Sequence, residues 1–307
     1  MMEHNDTEYQ VLLYYKYVPI ADADSFASAH RALCNEIGLK GRIIIAREGI
    51  NGTVSGTIQQ TTAYMDAMHA DSRFADMHFK VDPYHEHAFG KLKIKVKPEL
   101  VNLSLAENVD PNQLTGKRLT PKQFLEHLEQ DDVVVLDGRN NYEYDLGHFR
   151  NAIRPDVKTF REFPEWIREN RELFEHKKIL TYCTGGIRCE KLSGLLLREG
   201  FEDVSQLDGG IVTYGKDSAA RGQYFDGKCY VFDERIGVSV NQVEDVIVGR
   251  CYHCDAAAET YINCAYPSCH RQHIVCEDCD ARFAGYCSQA CHDAHALKEG
   301  TAHLHHA

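Results

Sequence analysis

At 307 residues, 43% hydrophobic and 26% charged, the chain has the composition of an ordinary globular protein, long enough for two or three domains that each bury a core. Its formal net charge of −12 argues against a protein that coats nucleic acid indiscriminately, because repulsion of phosphate opposes binding, yet it allows a local basic patch. No apolar run approaches the ~20 residues that span a bilayer. The acidic opening MMEHNDTEYQ lacks the basic-then-apolar layout of a signal peptide, so a cytoplasmic protein is expected. Twelve cysteines in that compartment point to metal binding or catalysis rather than disulfides.

In the N-terminal third, residues 11–20 read as a strand, followed by a helix over 21–37 that Gly38 and Gly41 stop. A second strand covers 42–47. The Asn51-Gly52 pair then predicts a tight hairpin turn, with 53–57 returning antiparallel. A helix over 59–68 and a last strand over 91–97 complete the order βαββαβ, which predicts a ferredoxin-like α+β domain over residues 1–101. In that last strand, KLKIKVK, Leu92, Ile94 and Val96 face one side while Lys91, Lys93, Lys95 and Lys97 face the other. The lysines read either as a solvated edge that blocks aggregation or as a phosphate-tracking stripe for RNA.

Residues 102–118, polar and interrupted by Pro111, read as a linker. Thr120 and Pro121 then open a helix, as N-cap and first residue, that runs to about 129. The continuous apolar run 133–136 is the strand expected of a parallel sheet covered on both faces. Strands alternating with helices predict a doubly wound α/β domain over 119–228, in which reactive groups sit beyond the carboxyl ends of the strands.

One stretch of that domain, KKILTYCTGGIRCE, carries chemistry. Ile179, Leu180 and Tyr182 form a buried strand that ends at Cys183, Gly185 and Gly186 let the backbone curl, and a helical pattern runs over 190–199. A thiol at a strand end, facing a helix N-terminus with Arg188 beside it, is favoured as thiolate and can carry an anion. The plainer alternative is a small buried hydrophobe. Cys189 reads as a core-facing helix residue, or as a thiol able to resolve an oxidised Cys183. Asp137, Arg139 and Glu143 read as structural pairs beneath the loop.

Past Cys229 the cysteines crowd into residues 229–307, as Cys251 and Cys254, Cys264 and Cys269, Cys276 and Cys279, then Cys287 and Cys291. Eight thiolates on short turns fit two closed, structural four-cysteine zinc sites, with His253, His270, His273 and His292 as possible substitutes. Spacing alone does not say whether the first pair shares its metal with the second or the third. The tight runs of iron–sulfur ligation are missing. The final GTAHLHHA is expected to be disordered.

The segments LDGRNNYEYDLGHFRNAI, CTGGIR and VSQLDGGI resemble the signature stretches of rhodanese domains. The resemblance implies a sulfane sulfur carried as a persulfide on Cys183, inside the loop Thr184, Gly185, Gly186 and Ile187. Only four residues separate Cys183 from Arg188, as in the sulfurtransferases rather than the related phosphatases, which have five. Across the whole chain, GRIIIAREGINGTVSG, YCTGGIRCEK and GKCYVFDERI together resemble one bacterial rhodanese-domain family, the oxygen-dependent tRNA uridine hydroxylases that make 5-hydroxyuridine at wobble position 34. That resemblance implies Cys183 as the essential residue, tRNA as partner, O2 as co-substrate, and the four lysines as candidate tRNA contacts.

No Gly-rich dinucleotide fingerprint and no pair of histidines with a carboxylate marks a redox cofactor. The sulfur itself is therefore the expected agent: thiolate or persulfide at Cys183 adds to C6 of uridine, with Arg188 and loop amides stabilising the charge that develops. The competing readings are a sulfurtransferase passing sulfur from Cys183, and an RNA- or protein-binding module with a regulatory cysteine.

Overall fold

The computed structural model describes residues 8–304, and from 299 onward the backbone alone. The N-terminal part is one five-stranded sheet with two helices on one face. Its elements are β1 (Tyr9–Tyr17), α1 (Ala23–Ile37), β2 (Lys40–Ala46), β3 (Gly49–Thr57), α2 (Ile58–Ala70), β4 (Lys80–Tyr84) and β5 (Leu92–Val96), in the sheet order β4-β1-β3-β2-β5. Asp22 caps α1 by accepting from the Ser25 amide at 3.0 Å, and Gly38 ends it at φ +86°. Leu12, Tyr14, Ile43, Ile45 and Val54 pack beneath Ala27, Cys34, Tyr64 and Met68 of the helices.

Two expectations for this region are corrected. The β2–β3 turn falls at Arg47 and Glu48, and Asn51 and Gly52 lie inside β3, opposite Tyr15 and Tyr14. Gly52 is required by packing rather than turning: a Cβ there would sit 2.3 Å from Tyr14 Oη. The strand that completes βαββαβ is β4, beside β1, which lacks the alternation that marks a strand and carries Asp82 and Pro83 at the outer edge. The lysine strand is a fifth strand, β5, parallel to β2 at the opposite edge.

The middle part contains β6 (Lys117–Leu119), α3 (Pro121–Leu128), β7 (Val133–Asp137), α4 (Asn141–Leu146), β8 (Gly147–Phe149), α5 (Phe163–Glu169), β9 (Lys178–Tyr182), α6 (Ile187–Arg198), β10 (Val204–Leu207) and α7 (Gly210–Lys216). Strands β6-β10-β9-β7 form a parallel sheet buried on both faces. Ile179 enters one core with Leu192, Leu195 and Leu196, while its neighbour Leu180 enters the other with Phe124, Phe149 and Tyr214. Helix α6 starts at Ile187, so Arg188 lies in its first turn. Residues ahead of β6 are irregular but not loose, since Leu103 and Val109 are buried in the first of these cores.

β8 continues into a three-stranded sheet with β11 (Phe225–Tyr230) and β12 (Gly237–Ser239). The C-terminal part is a hairpin of β13 (Thr260–Asn263) and β14 (Gln272–Val275), then α8 (Glu277–Phe283) and α9 (Gln289–Leu304). The tail expected to be disordered is thus helical to Leu304, and residues 305–307 lie outside the described residues. Among the described residues no helix is long and apolar enough to cross a membrane.

Candidate active site and metal centres

Cys183 follows the last residue of β9, and α6 begins at Ile187 after Gly186, whose φ of +101° only glycine adopts without strain. The turn aims amides back at the sulfur: the Gly186 N–H donates to Cys183 Sγ at 3.1 Å, and the amides of Arg188 and Cys189 also face it. The loop backbone is fixed from behind by α7, where the Ile211 and Val212 amides donate to the Cys183 and Thr184 carbonyls at 3.0 and 3.1 Å. That approach needs Gly210, since a Cβ there would lie 2.5 Å from the Cys183 oxygen.

Cys183 is fully buried, and burial alone raises a thiol's pKa. The Cys189 thiol, the Arg188 charge and the converging amides outweigh it and bring Cys183 down to about 6. Cys189 moves the opposite way, pushed up by burial and by its neighbour, so it keeps its proton and serves as a donor. Arg188 does not hang free beside the sulfur. Its Nη1 and Nη2 donate to Glu143 at 2.6 and 2.8 Å, and Nη2 also reaches Thr184 Oγ1 at 3.2 Å. Asp137 and Arg139 pair beneath the loop with no exposure, and the Tyr182 hydroxyl donates to Asp137 at 2.6 Å. Glu143, on α4, anchors the loop's arginine.

The N-terminal sheet packs against the loop that carries Cys183. A Cβ at Gly185 would lie 2.9 Å from Leu13 Cδ2, and one at Gly186 would lie 2.9 Å from Tyr15 Oη. The Tyr15 hydroxyl donates to Glu190 at 3.1 Å, and that of Tyr17 to the Ile187 carbonyl at 3.3 Å. Directly paired positions carry Lys80, Leu13, Thr53, Arg42 and Lys93 in one row across this sheet face. Burial lowers Lys80 to about 8, against the opposing pull of the Cys183 and Asp208 charges. Of these residues only Lys93 stood out in the sequence. The alternation of Leu13, Tyr15 and Tyr17 was the available signal for β1; Lys80 has none.

The structure places Lys93 and Lys95 within β5 and Lys91 and Lys97 just outside it, all four exposed. Lys93 and Lys95 share their face with Arg42 and Ile44, the face turned toward the loop.

The C-terminal cysteines gather into two groups, Cys251, Cys254, Cys276 and Cys279, and Cys264, Cys269, Cys287 and Cys291, with all Sγ atoms of a group within 4.8 Å of one another. The first pair therefore joins the third and the second joins the fourth, an interleaved arrangement. Sulfur pairs stand at 3.6 Å, close to the about 3.8 Å that tetrahedral Zn–S bonds of about 2.3 Å impose. Both groups can hold a metal ion. None of the four histidines belongs to either group.

Family models match three successive segments: the UPF0176 acylphosphatase like domain at residues 9–100, the Rhodanese-like domain at 120–217 and the Rhodanase C-terminal at 226–292. A protein of Bacillus licheniformis named tRNA uridine(34) hydroxylase is 59% identical over 284 residues, covering 92% of this chain and 88% of its own. Proteins of the same name from Oceanobacillus iheyensis and Lactococcus lactis are 57% and 56% identical, covering 94% and 92% of this chain and 90% and 89% of their own.

Proposed function

The chain belongs to the tRNA uridine(34) hydroxylase family, and from that premise we propose that it hydroxylates the wobble uridine of tRNA to 5-hydroxyuridine with Cys183 as the catalytic nucleophile. The observation that carries the assignment of Cys183 is its depressed thiol, cradled by amides at the mouth of a helix. The thiolate adds to C6 of uridine, pushing the displaced electron pair onto C5 and its conjugated carbonyl. C5 then attacks oxygen at the peroxide level, one oxygen atom leaves as water, and loss of the C5 proton with expulsion of the thiolate restores the double bond. With O2 as co-substrate, two electrons and two protons from a thiol-class reductant bring oxygen to that level.

Loop amides and the Arg188 charge stabilise the anionic sulfur before addition and as it leaves. Because Leu13 and Tyr15 pack on the loop glycines and Cys183 has no exposure, substrate entry requires the N-terminal sheet to draw back from the loop. The proposed division of labour follows: residues 1–101 contact tRNA, 119–228 react, and 229–307 hold two structural zinc ions in their four-cysteine groups. Lys91, Lys93, Lys95 and Lys97 are the proposed phosphate contacts, in a cytoplasmic enzyme.

Nucleoside mass spectrometry of tRNA from a deletion strain tests this reading, with complementation by the wild type and by Cys183→Ser. Loss of 5-hydroxyuridine, restored only by the wild type, is expected. Loss of a thionucleoside instead would mark a sulfurtransferase, and an unchanged profile would leave only a binding role.

A further inference from the structure

Where β5, β11 and the hairpin of the metal-binding segment meet, the chain leaves an open cleft of about 730 Å³, within the about 300–1,000 Å³ of sites that hold small ligands. One wall carries Arg42, Lys91 and Lys93, all exposed and, among the described residues, none paired with a carboxylate. The Arg42 guanidinium lies 5.9 Å from the centre of the Phe89 ring, held over an apolar floor. The opposite wall carries Tyr230 and Phe232, whose rings meet edge to face at 5.1 Å.

Phe232 is 44% exposed, so part of its ring is open to solvent. The Arg188 guanidinium lies 5.9 Å from its centre, so this one ring borders both the cleft and the cation next to Cys183. The cleft's acids do not cancel its charge. Asp233 is bound by Arg235 at 2.7 and 2.8 Å, which leaves Glu234 against three cations.

We propose that this cleft is the docking subsite for an unstacked nucleotide of the tRNA anticodon loop, its base stacked on Phe232 and its phosphate held by Arg42 and Lys93. The chemistry is that of single-stranded RNA recognition, in which π-faces take bases and a cationic groove tracks the backbone. The site deepens the tRNA reading given above and rests on it. It suggests how an acidic chain gathers RNA: Lys93 and Arg42 stand at the cleft, and the same row of paired positions ends, past Thr53 and Leu13, at Lys80 above the loop. It also gives the exposed Phe232 a partner, and places the bound strand one ring away from Arg188.

The test is titration of a fluorescein-labelled anticodon stem-loop RNA, uridine at its wobble position, with the full-length protein, alongside the iodoacetamide alkylation rate of Cys183. Phe232→Ala is expected to weaken binding by about 5- to 150-fold, the cost of one base–aromatic stack, and to leave alkylation unchanged. Phe232→Tyr is expected to retain wild-type binding, and Phe232→Leu to behave as the alanine variant. Arg42→Ala and Lys93→Ala should each flatten the slope of log K against log salt by about 0.7. Wild-type binding with Phe232→Ala within twofold of it, or with Phe232→Leu equal to Phe232→Tyr, overturns the subsite and leaves the tRNA reading intact. Failure of the wild type to bind the stem-loop or to modify tRNA overturns both.

Discussion

Glu143 and Arg188 close a bidentate ion pair at 2.6 and 2.8 Å across 45 residues of sequence, joining helix α4 to the first turn of α6. Burial raises the Glu143 carboxyl, but the adjacent Arg188 charge overcomes that and holds it below the usual carboxylate range. The cation that helps ionise Cys183 is thereby fixed in place rather than free to follow the substrate.

Removing this carboxylate leaves a buried guanidinium uncompensated, which costs about 3–5 kcal/mol. Glu143→Gln should show that loss in urea unfolding. The same change strengthens the uncancelled positive charge near the sulfur, so the Cys183 alkylation midpoint should move to lower pH. An unshifted midpoint would mean that Arg188 does not act on the thiol.

Cys183 itself should alkylate with a midpoint at about pH 6, the rate levelling off well below the ordinary thiol value of 9.0. The folded value is depressed, so ionisation contributes stability that is fully present above the unfolded thiol pKa and lost as pH falls through about 6. Cys189→Ala removes a donor to the thiolate, and its midpoint should rise. A pH series of iodoacetamide rates reads both.

Lys191, with no side-chain exposure, joins Glu48 of the β2–β3 turn and Glu99, each at 2.9 Å. It ties the N-terminal sheet to the helix that carries the loop. Lys191→Met should cost about 3–5 kcal/mol in denaturant unfolding, since two partly buried carboxylates lose their shared cation. A Glu48→Gln, Lys191→Met double variant should lose less than the sum of the single changes.

The interleaved cysteine groups predict two zinc ions per chain by atomic absorption. Cys251→Ser and Cys276→Ser should each lose the same ion, and Cys264→Ser and Cys287→Ser the other. If Cys251 and Cys264 were instead to lose one common ion, the pairing described here would be wrong. Chelation should unfold the C-terminal segment, because binding free energy is its folding free energy.

The chain's order of amino acids determined the reactive thiol, the strand and helix around it, and the eight clustered cysteines, because each is written in local spacing: an apolar run, two glycines, an arginine, closely spaced cysteine pairs. The same local reading misplaced the turn at Asn51-Gly52, where the contact of Gly52 with Tyr14 of the neighbouring strand, not turn chemistry, sets the need for glycine. It also passed over β4, whose Asp82 and Pro83 suit only a strand at an outer edge. Tertiary structure alone decided that Glu143 holds Arg188, that Leu13 and Tyr15 pack on the loop glycines, that alternate cysteine pairs share a site, and that Phe232 stands between a basic cleft and the loop. These relationships join residues far apart in sequence, and no periodicity encodes which distant side chains the packing of two sheets will bring face to face.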